Sequence, residues 1–154
     1  MEAPLRVRLN DALKSAMKGQ DKRAVSTLRL VLAAVKDRDI AHRGKGKPEG
    51  LTDEEILGVL QTMIRQRHES IELYRKGARE ELAEEEEQEI EIIETFLPRQ
   101  MTEDEMVAAV REVVAETGAA SIKDMGKAMA TLRERYAGRM DFAKASAAVR
   151  AQLS

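Results

Sequence analysis

Three observations predict an all-α protein. Apolar residues recur at i, i+3 and i+4 through almost the whole chain, with no period-2 run of useful length between them. Two Thr-x-x-Glu signatures precede apolar runs, Thr52 with Glu55 and Thr102 with Glu105, and each reads as a capping box at a helix start. With two Phe, two Tyr and no Trp, the interior must be filled by Leu, Val, Ile, Ala and eight Met, a composition that favours helix over sheet.

The elements follow in order. Pro4 suits a first helical position, and Leu5, Leu9, Leu13 and Met17 form an i, i+4 row that ends near Gly19. Asp21 can cap a second helix carrying Val25, Leu28, Leu32 and Val35, with Leu30, Val31, Ala33 and Ala34 widening its apolar arc. Arg43 to Gly50 is basic and turn-rich, hence an exposed loop. Beyond the first capping box, Ile56, Leu60, Ile64, Ile71 and Tyr74 continue a third helix towards Gly77. A fourth runs from about Arg79 through Leu82, Ile90, Ile93 and Leu97 to a stop at Pro98. After the second capping box, Met106, Val110 and Val113 lead to Gly118, placed where a C-terminal glycine belongs. Ser121 can cap a sixth helix with Ile122, Met125, Met129, Leu132 and Tyr136, and Asp141 a last one with Phe142, Ala145, Val149 and Leu153. Expected, then, are a four-helix bundle over residues 1–98 and a three-helix part over 99–154, small enough to lean on the bundle or on a partner.

Without cysteine the chain has no disulfide and no thiolate chemistry. No apolar run reaches the ~20 residues of a membrane span, and Met1 to Arg6 lacks a signal-peptide core, so a cytoplasmic protein is expected. The net charge of −2 is unevenly placed: residues 1–50 carry +6, 51–100 carry −8, and 118–154 carry +4. Basic ends around an acidic middle mean either anionic partners or helices that attract one another within the molecule.

No catalytic set emerges. His42 and His68 are the residues that titrate near neutrality, but neither has a partner in sequence: His68, Glu69 and Ser70 are consecutive and splay by ~100° on a helix. The zinc-protease spacing fails because Glu72 stands where a second His is needed. Glu84 to Glu87 read as a solvated helix face rather than a metal site, with Glu86 and Glu89 near enough to the apolar row to pair with Arg65 or Arg67. No metal or cofactor is expected. Two basic groupings remain. Lys22, Arg29, Lys36 and Arg43 recur every seven residues and form one stripe beside an apolar face, suited either to phosphates or to side chains snorkelling along the core edge. Lys123 and Lys127 share a face at i, i+4, with Arg133, Arg135 and Arg139 following, a compact positive surface. Gly126 interrupts this helix at a cost of ~1 kcal/mol against Ala, for which close helix packing is the simplest cause and the approach of a ligand the other. With few aromatic platforms, any nucleic acid would be held by shape and backbone contact.

At Asp124-Met125-Gly126-Lys127-Ala128-Met129, with Leu97-Pro98, Gln66-Arg67-His68-Glu69-Ser70 and the stretch Lys18 to Arg29, the sequence resembles the YqeY-like family over essentially its whole length. That family is similar in its C-terminal part to the tail domain of GatB, a subunit of the glutamine-dependent amidotransferase acting on Glu-tRNA(Gln) or Asp-tRNA(Asn). There, catalysis belongs to other domains and the tail helps to hold tRNA. The resemblance thus implies an accessory that binds tRNA or a tRNA-handling complex, without DNA or membrane. It places Lys123, Gly126 and Lys127 nearest the tRNA. The family's usual Gly-Arg-Ala-Asp-Gly turn is replaced by Gly138-Arg139-Met140-Asp141-Phe142. Two other roles stand beside it: a helical adaptor that binds protein through the second or fourth helix, and a participant in carbon–nitrogen ligation with glutamine as nitrogen donor.

Overall fold

A computed structural model describes residues 3–154. Among them are seven α-helices and no strand: α1 (Leu5–Lys18), α2 (Lys22–Gly44), α3 (Asp53–Lys76), α4 (Glu80–Glu94), α5 (Glu103–Thr117), α6 (Met125–Tyr136) and α7 (Phe142–Leu153), with a short 3₁₀ turn at Ile122–Asp124. The chain divides into two compact units between Leu97 and Pro98.

In the first unit α1 packs on α2, α3 pairs with α4, and α2 bridges to both α3 and α4. Leu5, Leu9, Leu28, Val31, Val35, Ile56, Leu60 and Ile93 form its core, and Ile71, Ala83 and Ile90 a satellite at the far end of the α3–α4 pair. The i, i+4 row of α1 is buried only at its start. Each such step drifts ~40° around a helix, so Leu5 and Leu9 lie in the core, Leu13 is half-buried and Met17 is 50% exposed. The apolar arc of α2 is likewise narrower than its composition implied. Leu28, Val31 and Val35 face inward, whereas Leu30 and Ala33 are exposed.

Pro4 is the N-cap of α1 rather than its first residue. A proline brings no capping side chain, and Asp53, at the start of α3, replaces one: its carboxylate accepts from the Leu5 N–H at 3.2 and 3.3 Å. The ends of α1 and α3, at Gly19 and Gly77 as the spacing predicts, share a device. Gly19 and Gly77 keep negative φ, and the left-handed residues are the next ones, Gln20 at φ 55° and Ala78 at φ 58°. The amides beyond them, Asp21 and Arg79, reach back to the carbonyls of Ala16 (3.0 Å) and Tyr74 (2.8 Å), the long bond of a Schellman turn.

Between α2 and α3 the chain is less free than its composition suggests. Asp39, 7% exposed, sits on the inner row of α2 and accepts from Arg6 Nη1 at 2.7 Å, from Arg6 Nη2, and from the Leu51 N–H at 2.8 Å; Arg6 Nη2 also donates to the Leu51 carbonyl at 3.2 Å. Gly50, at φ +76°, makes this approach possible, because a Cβ there would lie 2.6 Å from Asp39 Oδ1. Donation by Arg6 holds the Asp39 carboxyl down at about 2 against the burial that opposes it.

In the second unit α5, α6 and α7 pack mutually around Val110, Val113, Ala128, Leu132, Met140, Ala145 and Val149. Both capping boxes are formed as read: Thr52 Oγ1 and Thr102 Oγ1 accept from the Glu55 and Glu105 amides at 3.2 and 3.1 Å, and each glutamate accepts in return at 3.0 Å. Gly118 closes α5 at φ 69°, and Asp141 caps α7. Ser121 does not cap α6. It starts the 3₁₀ turn, α6 itself begins at Met125, and Ile122 is turned outward at 52% exposure.

Candidate functional site

His68 is exposed on α3, and His42 is half-buried with Nε2 3.4 Å from Glu55 Oε2 and Nδ1 buried without a partner, while Oε1 of that glutamate accepts from the Thr52 amide in the α3 capping box. Five glutamates of α4, Glu80, Glu81, Glu85, Glu87 and Glu89, pair with arginines. Arg67 donates to Glu89 at 2.8 Å, Arg23 lies 3.6 Å from Glu85, and Arg75 meets Glu80 and Glu87. Glu86 differs by its burial: its Oε2 is buried without a partner, and burial, aided by Glu89, pushes its carboxyl up. No group of three or more His, Asp or Glu among the described residues is arranged to hold a metal ion, and no helix is long and apolar enough to cross a membrane.

The C-terminal basic residues separate into two sets. Lys123, Gly126, Lys127 and Arg133 are all exposed along the outer side of the 3₁₀ turn and α6. At ~100° per residue Lys123, Lys127, Ala130, Gly126 and Arg133 fall within one arc of ~120°. The glycine and exposed Ala130 thus form a small-residue floor with the lysines and exposed Glu134 along one border and Arg133 along the other. Arg133 also lies over the Phe142 ring at 5.9 Å, which fixes where its guanidinium sits. Arg135 and Arg139 are employed elsewhere. Arg135 points about a quarter-turn or more away and pairs with Glu116 of α5, which lowers that carboxyl. Arg139 Nε donates to the Arg99 carbonyl at 3.3 Å, while its own carbonyl accepts from the Met101 N–H at 2.8 Å. In the same turn Gln100 donates to the Gly138 carbonyl at 2.6 Å, and Met140, where the family's pattern has alanine, fills the core.

Two features temper and sharpen this face. Asp124 stands between the lysines, but its Oδ2 accepts from the Ala120 and Ser121 amides at 2.9 and 3.3 Å, and those donors, the first chiefly, keep it ionised. With exposed Glu134 it reduces the local excess to a single positive charge. The glycine is the sharper feature. A Cβ on Gly126 would meet nothing within 4 Å, so helix packing, the simplest reading of the sequence, is not why glycine stands there.

On α2 the stripe Lys22, Arg29, Lys36 and Arg43 is exposed throughout, and none of the four forms an ion pair among the described residues. By helix phase it lies between the outward Ala33 and Ile40 on one side and Leu32, half-buried against the core, on the other. The residues that sequence reasoning missed are Arg6 and Asp39. The available signal was an acid on the inner row of α2, four residues after Val35.

Comparison with known proteins places the chain. The family model described as Yqey-like protein matches residues 6–153, and the chain belongs to the YqeY-like family. An uncharacterized protein of Schizosaccharomyces pombe is 35% identical over 98 residues, which is 64% of this chain and 72% of that protein. The protein named altered inheritance of mitochondria protein 41, mitochondrial, of Vanderwaltozyma polyspora is 35% identical over 89 residues, 58% of this chain and 46% of the relative, so less than half of that protein is spanned. Its namesake in Pyrenophora tritici-repentis is 27% identical over 133 residues, 83% of this chain and 71% of the relative.

Proposed function

We propose that the chain binds transfer RNA, or a complex that handles it, as an accessory without a catalytic set of its own, through the outer face of α6. Gly126 carries this reading. The site of Gly126, second in α6, has room for a Cβ, so packing within the chain does not require glycine there, and its bare backbone is open to the close approach of a partner. Lys123, Lys127 and Arg133 on the borders of that floor are the groups that attract a phosphate backbone. The resemblance of the C-terminal part to the GatB tail supports the same partner. Arg135 and Arg139 have structural partners and are not assigned to the contact. A cytoplasmic location goes with this reading. The mitochondrial names of the yeast relatives are compatible with it, since transfer RNA is used in both compartments.

The test is fluorescence anisotropy of labelled total tRNA against the protein with Lys123→Ala, Lys127→Ala and Arg133→Ala combined. The three exposed side chains can be removed without touching the core, so circular dichroism should be unchanged while affinity falls at least tenfold. Equal affinity of variant and parent would remove α6 as the contact.

A further inference from the structure

The outer face of α2 is built for a different occupant. Written as a heptad, Arg23, Leu30 and Asp37 fall at a, Ser26, Ala33 and Ile40 at d, and Lys22, Arg29, Lys36 and Arg43 at g, with Arg23 drawn to Glu85 and Glu89 of α4 so that the open seam runs from Ser26 to Ile40. Leu30 is 51% and Ile40 55% exposed. The inner side of the same helix is committed to the core through Leu28, Val31 and Val35, so it cannot roll to cover them. Near the N-terminal end an open depression of about 270 Å³ lies among Gln20, Lys22, Val25, Ser26 and Arg29. An aliphatic seam flanked by a single-sign row at g is the pattern by which one helix selects another of opposite charge.

We infer that this face docks an acidic amphipathic helix of a partner protein. The partner's Asp or Glu side chains would lie along Lys22, Arg29, Lys36 and Arg43. One large aliphatic side chain would enter the depression, and others would cover Leu30 and Ile40. From Lys22 to Arg43 the face is ~32 Å long, so about three heptads of partner helix suffice. Asp37 is the seam's acidic residue; it disfavours an acidic or aliphatic residue opposite and so sets the register. A phosphate backbone matches the cations but offers nothing to Leu30 and Ile40. A lipid surface takes up helices with a broad apolar face, and here that face is buried in the unit. The inference does not rest on the tRNA reading, which concerns another helix in the other unit.

The probe is a synthetic 21-residue helix with Leu at a and d, one Asn in the middle heptad, and Glu at e and g, whose own charge keeps it from self-pairing. A charge-reversed twin with Lys at e and g is the control. Isothermal titration with the full chain should give a Kd of about 1–10 µM for the acidic peptide and no detectable binding of the basic one. Leu30→Ser with Ile40→Ser should weaken the acidic peptide at least tenfold, and Lys22→Glu, Arg29→Glu and Lys36→Glu together should switch preference to the basic peptide. Failure of the acidic peptide to bind, or binding unaffected by the serine pair, overturns the inference. So does loss of tRNA binding in the glutamate variant with retention in the serine variant, which would give the face to nucleic acid. Sedimentation showing self-association that the serine pair abolishes would give it to a second copy.

Discussion

Replacing Asp39 by asparagine removes one charge from the tightest polar node of the first unit while keeping the side chain's shape. Two guanidinium nitrogens and the Leu51 amide all donate to that carboxylate. An asparagine has one acceptor oxygen and turns an NH₂ group towards the donors on its other side, so at least one donor is left facing another. Breaking a buried pair costs ~3–5 kcal/mol. Because the Arg6 side chain keeps 38% exposure and is partly rehydrated, the lower end of that range applies. Independently, lowering the carboxyl from 3.8 to about 2 corresponds to about 2–3 kcal/mol at ~1.4 kcal/mol per pKa unit. Both routes lead to a loss of about 2–3 kcal/mol at neutral pH, or on the order of 10–20 °C in the melting of a unit of this size. The proton linkage supplies a second signature. The folded carboxyl titrates below its unfolded value, so its contribution is complete above about pH 5 and is lost as pH falls towards about 2; the variant should lack that segment of acid destabilisation. Urea unfolding followed by fluorescence in a Tyr136→Phe background, where Tyr74 reports on the first unit alone, measures both. A change below about 0.5 kcal/mol, the range of an ordinary surface substitution, or an unaltered acid profile, would refute the clamp.

Two further substitutions separate backbone conformation from contact. Ala78→Gly relieves a left-handed residue that bears a Cβ, and should stabilise the α3–α4 turn by about 0.5–1 kcal/mol; destabilisation in the same urea experiment would mean that the alanine methyl makes a contact worth more than the strain. Gly126→Ala should leave the second unit as stable or more stable by up to ~1 kcal/mol, seen through Tyr136 in a Tyr74→Phe background, while weakening tRNA binding several-fold. Unchanged affinity would mean that nothing approaches the Gly126 backbone.

Local features were legible in the sequence and distant ones were not. The Thr52–Glu55 and Thr102–Glu105 boxes, the Asp21 and Asp141 caps and the Gly118 terminus depend on groups within a few residues of one another, so spacing alone reveals them. The Arg6–Asp39–Leu51 node joins residues 33 and 12 positions apart, and nothing local distinguishes its members except an acid on an inner row. Composition overstated two apolar surfaces. The drift of an i, i+4 row carried Met17 outward, and Leu30 lies a quarter-turn or more from the inward centre of α2. Glycine marked the helix ends at Gly19, Gly77 and Gly118, but spacing could not show that at the first two the left-handed position belongs to the following residue. Around α6 the sequence grouped five cations from Lys123 to Arg139, whereas helix phase leaves Lys123, Lys127 and Arg133 together and sends Arg135 to Glu116.

The salt dependence of tRNA binding tests the central claim most directly. Three cations that neutralise phosphates predict that log K falls against log salt with a slope of about −2 to −3, and that removing Lys127 alone reduces the slope by about one. The affinity should also exceed that for an unstructured polyanion of equal charge, because a small-residue floor between cations favours a shaped backbone. A slope near zero, or equal binding to tRNA and the polyanion with no change on removing Lys127, would contradict it.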